Sequence, residues 1–206
     1  VAEFSELISE LEDGHIDVIA AGMFITAERA RRVSFSEPTF HVRQGLLVAT
    51  GNPYNLHAYS DVPAQDKVRI AVLSGTIEED LLTRMGASER QLLRVPDAQT
   101  GRMALESGEA QGLALSLPTL RWLTAGDRHD GTALAEPFTQ PAGNLLPQSG
   151  YGAFAFRRGD IQLLSAWNAA QAGFINAPAH RALIARFGFT VDEMPGTTST
   201  AGILAQ

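Results

Sequence analysis

The segment AAGMFITAERA, residues 20–30, places the aromatic ring of Phe24 five residues before the guanidinium of Arg29. Arginine is the natural bidentate partner of a carboxylate, and the face of an aromatic ring attracts a cation. The pair could therefore bind the two ends of a zwitterion. It could equally be a core phenylalanine and a solvated arginine beside Arg31 and Arg32, and spacing alone leaves both interpretations open.

The turn in LSGTIEED is a second candidate, because Ser74 and Thr76 lie between a predicted strand and a predicted helix. Backbone amides at a helix N-terminus bind anions, and the two hydroxyls add hydrogen-bonding groups. An ordinary capped turn is the alternative. The turn has no Lys and lacks P-loop spacing, so a carboxylate fits it better than a nucleotide. The acidic residues that follow favour the helix dipole and need no catalytic role: Glu78, Glu79 and Asp80.

Ser116 ends the apolar run LALS just before Pro118, where a helix cap is the simplest interpretation. No G-x-S-x-G motif surrounds it. The histidines are scattered without the spacing of metal ligands or of a catalytic triad: His15, His41, His57, His129 and His180. We therefore expect no catalytic residue, no metal site and no cofactor.

Composition excludes several classes of protein. With 206 residues, of which 45% are hydrophobic, the chain can bury a substantial core. Its net charge of −7 and the lack of a basic stripe argue against a nucleic-acid partner. No run approaches the roughly 18 apolar residues of a membrane span. Cysteine is absent, so disulfides and thiolate chemistry are excluded.

The elements that position these candidates follow from hydrophobic periodicity. Phe4, Leu7, Ile8 and Leu11 predict a helix that ends at Gly14. The run HIDVIAAG is typical of a buried parallel strand, and the loop after it would lie where open α/β sheets bind ligands. Thr26 would cap the helical turn AERARR.

Further along, QGLLVAT predicts a strand, and GNPYN marks a crossing between domains. From residue 67 to residue 123, strands alternate with helices, which predicts parallel βαβ units. Residues 127–150 are expected to be an irregular connection. YGAFAF predicts another strand, followed by helices over residues 160–175 and 178–187, and the tail PGTTSTAGILAQ is expected to be loosely held.

The run LISELEDGHIDVIAAGMFITAERARRVSFSEPTF, followed by GLLVAT and VLSGTIEE, resembles the extracellular solute-binding proteins that deliver polar amino acids to ABC importers. ALESGEAQGLALS and YGAFAFRRGDIQLLSAWN extend the resemblance over essentially the whole chain. It implies an α/β fold, a periplasmic binding protein-like clamshell of two lobes joined by two crossing strands, which close over a ligand. Residues 1–48 would form lobe 1, residues 49–149 lobe 2, and residues 150–206 the return to lobe 1 and the tail.

The same resemblance implies a binding protein rather than an enzyme. Its partners would be a small zwitterionic solute and a membrane permease, it would act as a monomer, and its location would be periplasmic or extracellular, with a removed N-terminal signal or a lipid anchor as options. Family members begin with a strand-helix-strand segment before the equivalent of VAEFSELI, so the first lobe is expected to lack that segment. Two alternatives on the same fold are the sensor domain of a signalling protein and a cyclohexadienyl dehydratase-like enzyme.

When the family pattern is carried over residue by residue, it implies that Gly22 and Arg29 bind the ligand. Arg29 would bind the ligand carboxylate. Phe24 stands where the family has a hydroxyl residue. In the second lobe, the turn containing Ser74, Gly75 and Thr76 would meet the same carboxylate.

Ser116 stands where amino-acid binders have an Asp for the ammonium group. A compact ammonium buried without that anion would be poorly compensated, so a ligand with a delocalised cation is expected. This combination looks closest to the ectoine and hydroxyectoine binders of the family, with Phe24 as one wall of an aromatic cage.

Overall fold

Two α/β units make up the chain in the computed structural model, which describes residues 2–125, 131–142 and 150–205. The first unit contains the described residues up to 42 and from 150 onward, and the second contains those from 43 to 142. In chain order the regular elements are α1 (Leu7–Glu12), β1 (Ile19–Phe24), α2 (Ala27–Ala30), β2 (Val33–Phe35), β3 (Phe40–His41), β4 (Gln44–Ala49), β5 (Ile70–Leu73), α3 (Ile77–Arg84), β6 (Leu92–Val95), α4 (Ala98–Glu106), β7 (Gly112–Ser116), α5 (Leu117–Thr124), β8 (Thr132–Leu134), β9 (Tyr151–Arg157), α6 (Ile161–Ala172), α7 (Pro178–Ala185) and α8 (Thr200–Leu204). Short 3-10 turns occupy Phe4–Glu6, Tyr59–Asp61, Glu89–Gln91 and Val191–Glu193.

Strand β9 organises the sheet of the first unit. It pairs antiparallel with β1 on one side and with β2 and β3 on the other. The small side chains Ala153 and Ala155 leave room on one face of β9 for a core that α1, β1 and β2 supply. Its buried members are Leu11, Ile19, Met23, Ile25, Val33, Phe35, Ala153, Ala155 and Ile203. On the other face, Phe154 and Phe156 pack against Trp167 of α6.

The predicted helices of this unit are confirmed. The first begins as a 3-10 turn at Phe4, continues as α1 and is followed by Gly14 with φ +78°, a backbone conformation that favours glycine. The two later helices are α6 and α7.

The prediction that β1 is a buried parallel strand is wrong. Among the described residues β1 pairs only with β9, and that pairing is antiparallel. Ala20, Ala21 and Gly22 are exposed, so only the ends of the strand contribute to the core. The apolar run HIDVIAAG carries no information about the direction of the partner strand, which lies some 130 residues further along the chain.

The second unit contains the predicted βαβ units. Its sheet has the order β6-β5-β7-β4-β8, and β5 runs parallel to both β6 and β7, which confirms that prediction. Strand β4 runs antiparallel between β7 and β8 and is buried along its first five residues. The core lies between this sheet and the helices, with Leu47, Leu113 and Leu120 all fully buried.

The chain passes from the first unit to the second between residues 42 and 43. The predicted limit at 48/49 falls within the end of β4, whose partners β7 and β8 both belong to the second unit. The segment predicted as an irregular connection contains β8, which pairs with Leu47, Val48 and Ala49. The rest of that segment lies partly outside the described residues.

The expectation of a loosely held tail is wrong. Helix α8 forms near the C-terminus, and its Ile203 is 0% exposed within the core of the first unit. The Thr200 hydroxyl donates to the Ser36 carbonyl at 2.6 Å, and the Thr200 amide donates to the Glu37 carboxylate at 2.9 Å. The small polar residues before α8 suggested a tail without core contacts, but the apolar side chain of Ile203 is part of the core.

Replacing Ile203 should therefore destabilise the first unit strongly. Ile203→Ala removes a fully buried side chain and is expected to lower the free energy of unfolding by about 2–5 kcal/mol. Leu204→Ala is the matched control, because Leu204 is 36% exposed and should cost less than about 1 kcal/mol. Urea unfolding of both variants checks the difference, and equal effects would show that the tail is not part of the core.

Candidate ligand-binding site

Arg29 is held in place by groups of the first unit. Thr26, the N-cap of α2, accepts the Arg29 amide through Oγ1 at 3.1 Å, which confirms the predicted cap. The guanidinium Nη1 donates to the Phe24 carbonyl at 3.0 Å. The guanidinium carbon also lies 5.6 Å from the centroid of the Phe4 ring, within the range of a cation–π contact. Phe24 and Arg29 are therefore neighbours in space, and the arginine is not simply solvated beside Arg31.

The Phe24 ring is half-buried and belongs to an aromatic cluster that the sequence analysis missed. Its centroid lies 6.1 Å from that of Phe40, and Phe40 in turn lies 5.5 Å from Phe189. Phe24 and Phe40 are 16 positions apart in sequence, on strands that meet only through β9. No local periodicity could have linked them.

Gly22 lies two residues before Phe24, within an irregular part of the pairing between β1 and β9. Its φ is +66°, so the position favours glycine for backbone reasons. A Cβ at this position would lie 3.6 Å from Cζ of Phe40, which is ordinary van der Waals contact. The structure thus shows what Gly22 does for the backbone, and its role in binding a ligand stays a prediction.

The turn between β5 and α3 is satisfied by groups of its own unit. Gly75, with φ +76°, donates its amide to the Glu79 carboxylate at 2.7 Å, and Thr76 Oγ1 donates to the Leu73 carbonyl at 2.7 Å. No described residue hydrogen-bonds the Ser74 hydroxyl. The predicted contact between these amides and a ligand carboxylate would have to displace Glu79 from Gly75.

Glu79 is itself held by Arg94, whose Nε lies 2.5 Å from its other carboxylate oxygen. Arg94 also makes two hydrogen bonds to Glu89, at 2.8 and 3.2 Å. The carboxylates of Glu89 and then Glu79 raise the pKa of the Arg94 guanidinium well above its usual value. The acidic start of α3 thus stabilises the turn, beyond its favourable interaction with the helix dipole.

Ser116 lies at the N-cap position of α5 as predicted, but its side chain does not cap the helix in the usual way. The hydroxyl pairs with Thr119 Oγ1 at 2.9 Å, and it makes no hydrogen bond to a helix amide. Because β5 and β7 are adjacent and parallel, the turn containing Ser74 and Thr76 and the end of β7 lie at the same edge of the sheet. The structure therefore brings the three predicted residues of the second unit to one edge.

Residues 2–125, 131–142 and 150–205 contain no group of three His, Asp or Glu side chains arranged to hold a metal ion. None of the helices in those ranges is both long and apolar enough to cross a bilayer.

Comparison with known proteins identifies relatives over most of the chain. The family model of bacterial extracellular solute-binding proteins, family 3, matches residues 1–190. A relative from Sinorhizobium fredii, named a "probable amino-acid ABC transporter periplasmic-binding protein", is 30% identical over 92% of this chain and 62% of its own length. The ABC transporter glutamine-binding protein GlnH of Bacillus subtilis is 29% identical over 75% of this chain and 56% of its own length. The chain thus spans less than two thirds of the length of either relative.

Among solved structures, EhuB in complex with hydroxyectoine aligns with 99% of this chain and 77% of its own, with a TM-score of 0.87 and 24% sequence identity. This similarity shows the fold and, with the two α/β units, confirms the predicted periplasmic binding protein-like α/β fold.

The cap at Thr26 can be tested separately from any ligand. Thr26→Ala removes the acceptor for the Arg29 amide and should lower the free energy of unfolding by about 1 kcal/mol. Thr26→Ser keeps a hydroxyl at the cap and should retain most of that stability. Thermal unfolding of the two variants provides the comparison, and an alanine variant as stable as the serine variant would contradict the assignment.

Proposed function

The chain belongs to the bacterial extracellular solute-binding proteins of family 3, and from this membership we propose that it is the substrate-binding component of an ABC importer. It captures a small zwitterion and presents it to a membrane permease, in the periplasm or outside the cell. Ectoine or hydroxyectoine is the favoured solute, and an amino acid or a derivative of one comes next. The names of the two relatives support transport binding rather than catalysis.

The observation that carries the proposal is the placement of Arg29. A guanidinium can bind a carboxylate through two parallel N–H groups, provided that it is oriented in advance. Here the Phe24 carbonyl and the Phe4 ring contact the guanidinium, and the Thr26 cap fixes the backbone of the same residue. Side-chain entropy that would be lost on binding has thus largely been lost on folding, which favours affinity.

The charge distribution of the ligand follows from two other residues. Phe24 presents a half-buried aromatic ring on the residue whose carbonyl accepts Arg29, where a hydroxyl residue would present a hydrogen-bonding group. At the end of β7, Ser116 supplies a hydroxyl that is paired with Thr119, and it supplies no negative charge. A compact ammonium would lack a counter-ion there, whereas a delocalised cation gains from the face of a ring. The amidinium of ectoine has this character.

The remaining parts of the proposal rest on the family pattern. Gly22, Ser74, Thr76 and Ser116 are proposed as further ligand contacts, and the protein is proposed to act as a monomer without catalytic groups. Hydroxyectoine is the ligand named for EhuB, and glutamine is the ligand named for GlnH. For this chain both solutes are hypotheses to be tested by titration.

Calorimetric titration of the whole chain with hydroxyectoine, ectoine and glutamine tests the function, and Arg29→Ala tests the assignment of the carboxylate. Truncating one partner of a desolvated charge pair costs 2 kcal/mol or more, so Arg29→Ala should weaken binding by at least about thirtyfold. Arg29→Lys keeps the charge but loses the bidentate geometry and should fall between Arg29→Ala and wild type.

Arg31→Ala is the matched control, because Arg31 is an exposed arginine at the end of the same short helix. It should bind within about twofold of wild type, since it is too exposed to contribute more. Binding by Arg29→Ala at wild-type strength would rule out the proposed role of Arg29. Failure of the wild type to bind any of the three solutes would count against the function itself.

A further inference from the structure

Three residues of the first unit form a row across three adjacent strands. Phe24 of β1 is in register with Gly152 of β9, and Gly152 is in register with Phe40 of β3. Residues directly opposite each other in neighbouring strands have side chains on the same face of the sheet. Phe24 and Phe40 therefore lie on one face, with a position that has no side chain between them.

Gly152 makes the meeting of the two rings possible. A Cβ at this position would lie 1.9 Å from Cζ of Phe40 and 2.3 Å from its Cε2, so the Phe40 ring covers the backbone of the glycine. Both distances are far below van der Waals contact, and any larger side chain would expel the ring. The same ring reaches to within 3.6 Å of a Cβ built at Gly22.

The rings meet edge to face. The planes of Phe24 and Phe40 are inclined at 68°, and those of Phe40 and Phe189 at 62°. All three side chains are partly exposed. Two steeply inclined rings present their faces to a shared corner, and a cation within about 6 Å of both centroids would be attracted by both quadrupoles.

We infer that Phe40, seated over Gly152, is the second wall of an aromatic corner whose first wall is Phe24, and that this corner selects the delocalised cation of the ligand. The inference rests on the proposed function and adds to it a specificity-determining residue, Phe40, and a positioning residue, Gly152. Phe189 packs against Phe40, with ring centroids 5.5 Å apart. The corner lies within the first unit, and the residue that forms its first wall, Phe24, accepts Arg29 Nη1 through its backbone carbonyl.

The test compares ligands that differ in the charge of one end. Arginine and glutamine share a compact α-ammonium and an α-carboxylate, but arginine adds a delocalised guanidinium where glutamine has a neutral amide. Hydroxyectoine carries a cyclic amidinium. Phe40→Leu should weaken binding of arginine and hydroxyectoine by about two- to thirtyfold, the range of a cation–π contact from exposed to desolvated. Binding of glutamine should change by less than about twofold.

Two further variants test whether the Phe40 ring contacts the ligand or only packs against its neighbours. Phe40→Tyr keeps the ring and should keep the preference for cations, whereas Gly152→Ala should expel the ring and reproduce the selectivity of Phe40→Leu.

Phe174→Leu is the matched control, because Phe174 is a 38% exposed phenylalanine of the same unit whose aromatic neighbour is His180. It should leave all three affinities unchanged. If Phe40→Leu does not fold, as judged by thermal unfolding, Phe40→Met replaces it.

The outcomes distinguish this inference from the function on which it rests. A selective loss of cation binding in Phe40→Leu and Gly152→Ala supports the aromatic corner. Equal weakening of all three ligands, or no weakening, overturns the corner while leaving a solute-binding protein in place. A wild type that binds none of the three overturns the proposed function and the corner together.

Discussion

The pairing of β9 with the strands on either side of it is the constraint on which the first unit depends. Residues 151–157 return from the far part of the chain and meet β1 on one edge and β2 and β3 on the other. Without that return, the phenylalanines of β1 and β3 would have no common sheet, and the core around Ala153 and Ala155 would be open on one side. The candidate site is therefore a product of long-range pairing, although its most prominent residues lie within one short segment.

This dependence explains which features the sequence could predict. The helix end at Gly14 and the cap at Thr26 are local, because each is specified by residues within one or two turns of one another. The βαβ units of the second unit follow from the order of strands and helices along the chain. They were predicted correctly. The direction of β1, the placement of β4 in the second unit and the burial of Ile203 depend on partners far away in sequence. Hydrophobic periodicity does not report such partners.

The same division between local and long-range features applies to the candidate site. Phe24 and Arg29 were identified because their types and spacing suggested two ends of a zwitterion, and the structure places the guanidinium against the Phe24 carbonyl. The nearness of Phe40 to Phe24 was not predicted, because only the register through Gly152 brings the two residues together. At the turn containing Gly75, the structure adds a contact that was not predicted. The sequence of the turn suggests an open anion site, yet Glu79, four residues later, already accepts the Gly75 amide. A side chain of the following helix can satisfy the site that its own N-terminus creates.

The most direct test of the central claim changes the ligand and the protein together. Hydroxyectoine and the carboxamide made from it differ only in the charge and donor capacity of one end, and both can be titrated into wild type and Arg29→Ala. If Arg29 binds the carboxylate, conversion to the carboxamide should weaken binding to wild type by at least about thirtyfold and binding to Arg29→Ala by less than about threefold. An equal penalty in both proteins would contradict the account, because it would place the carboxylate away from Arg29.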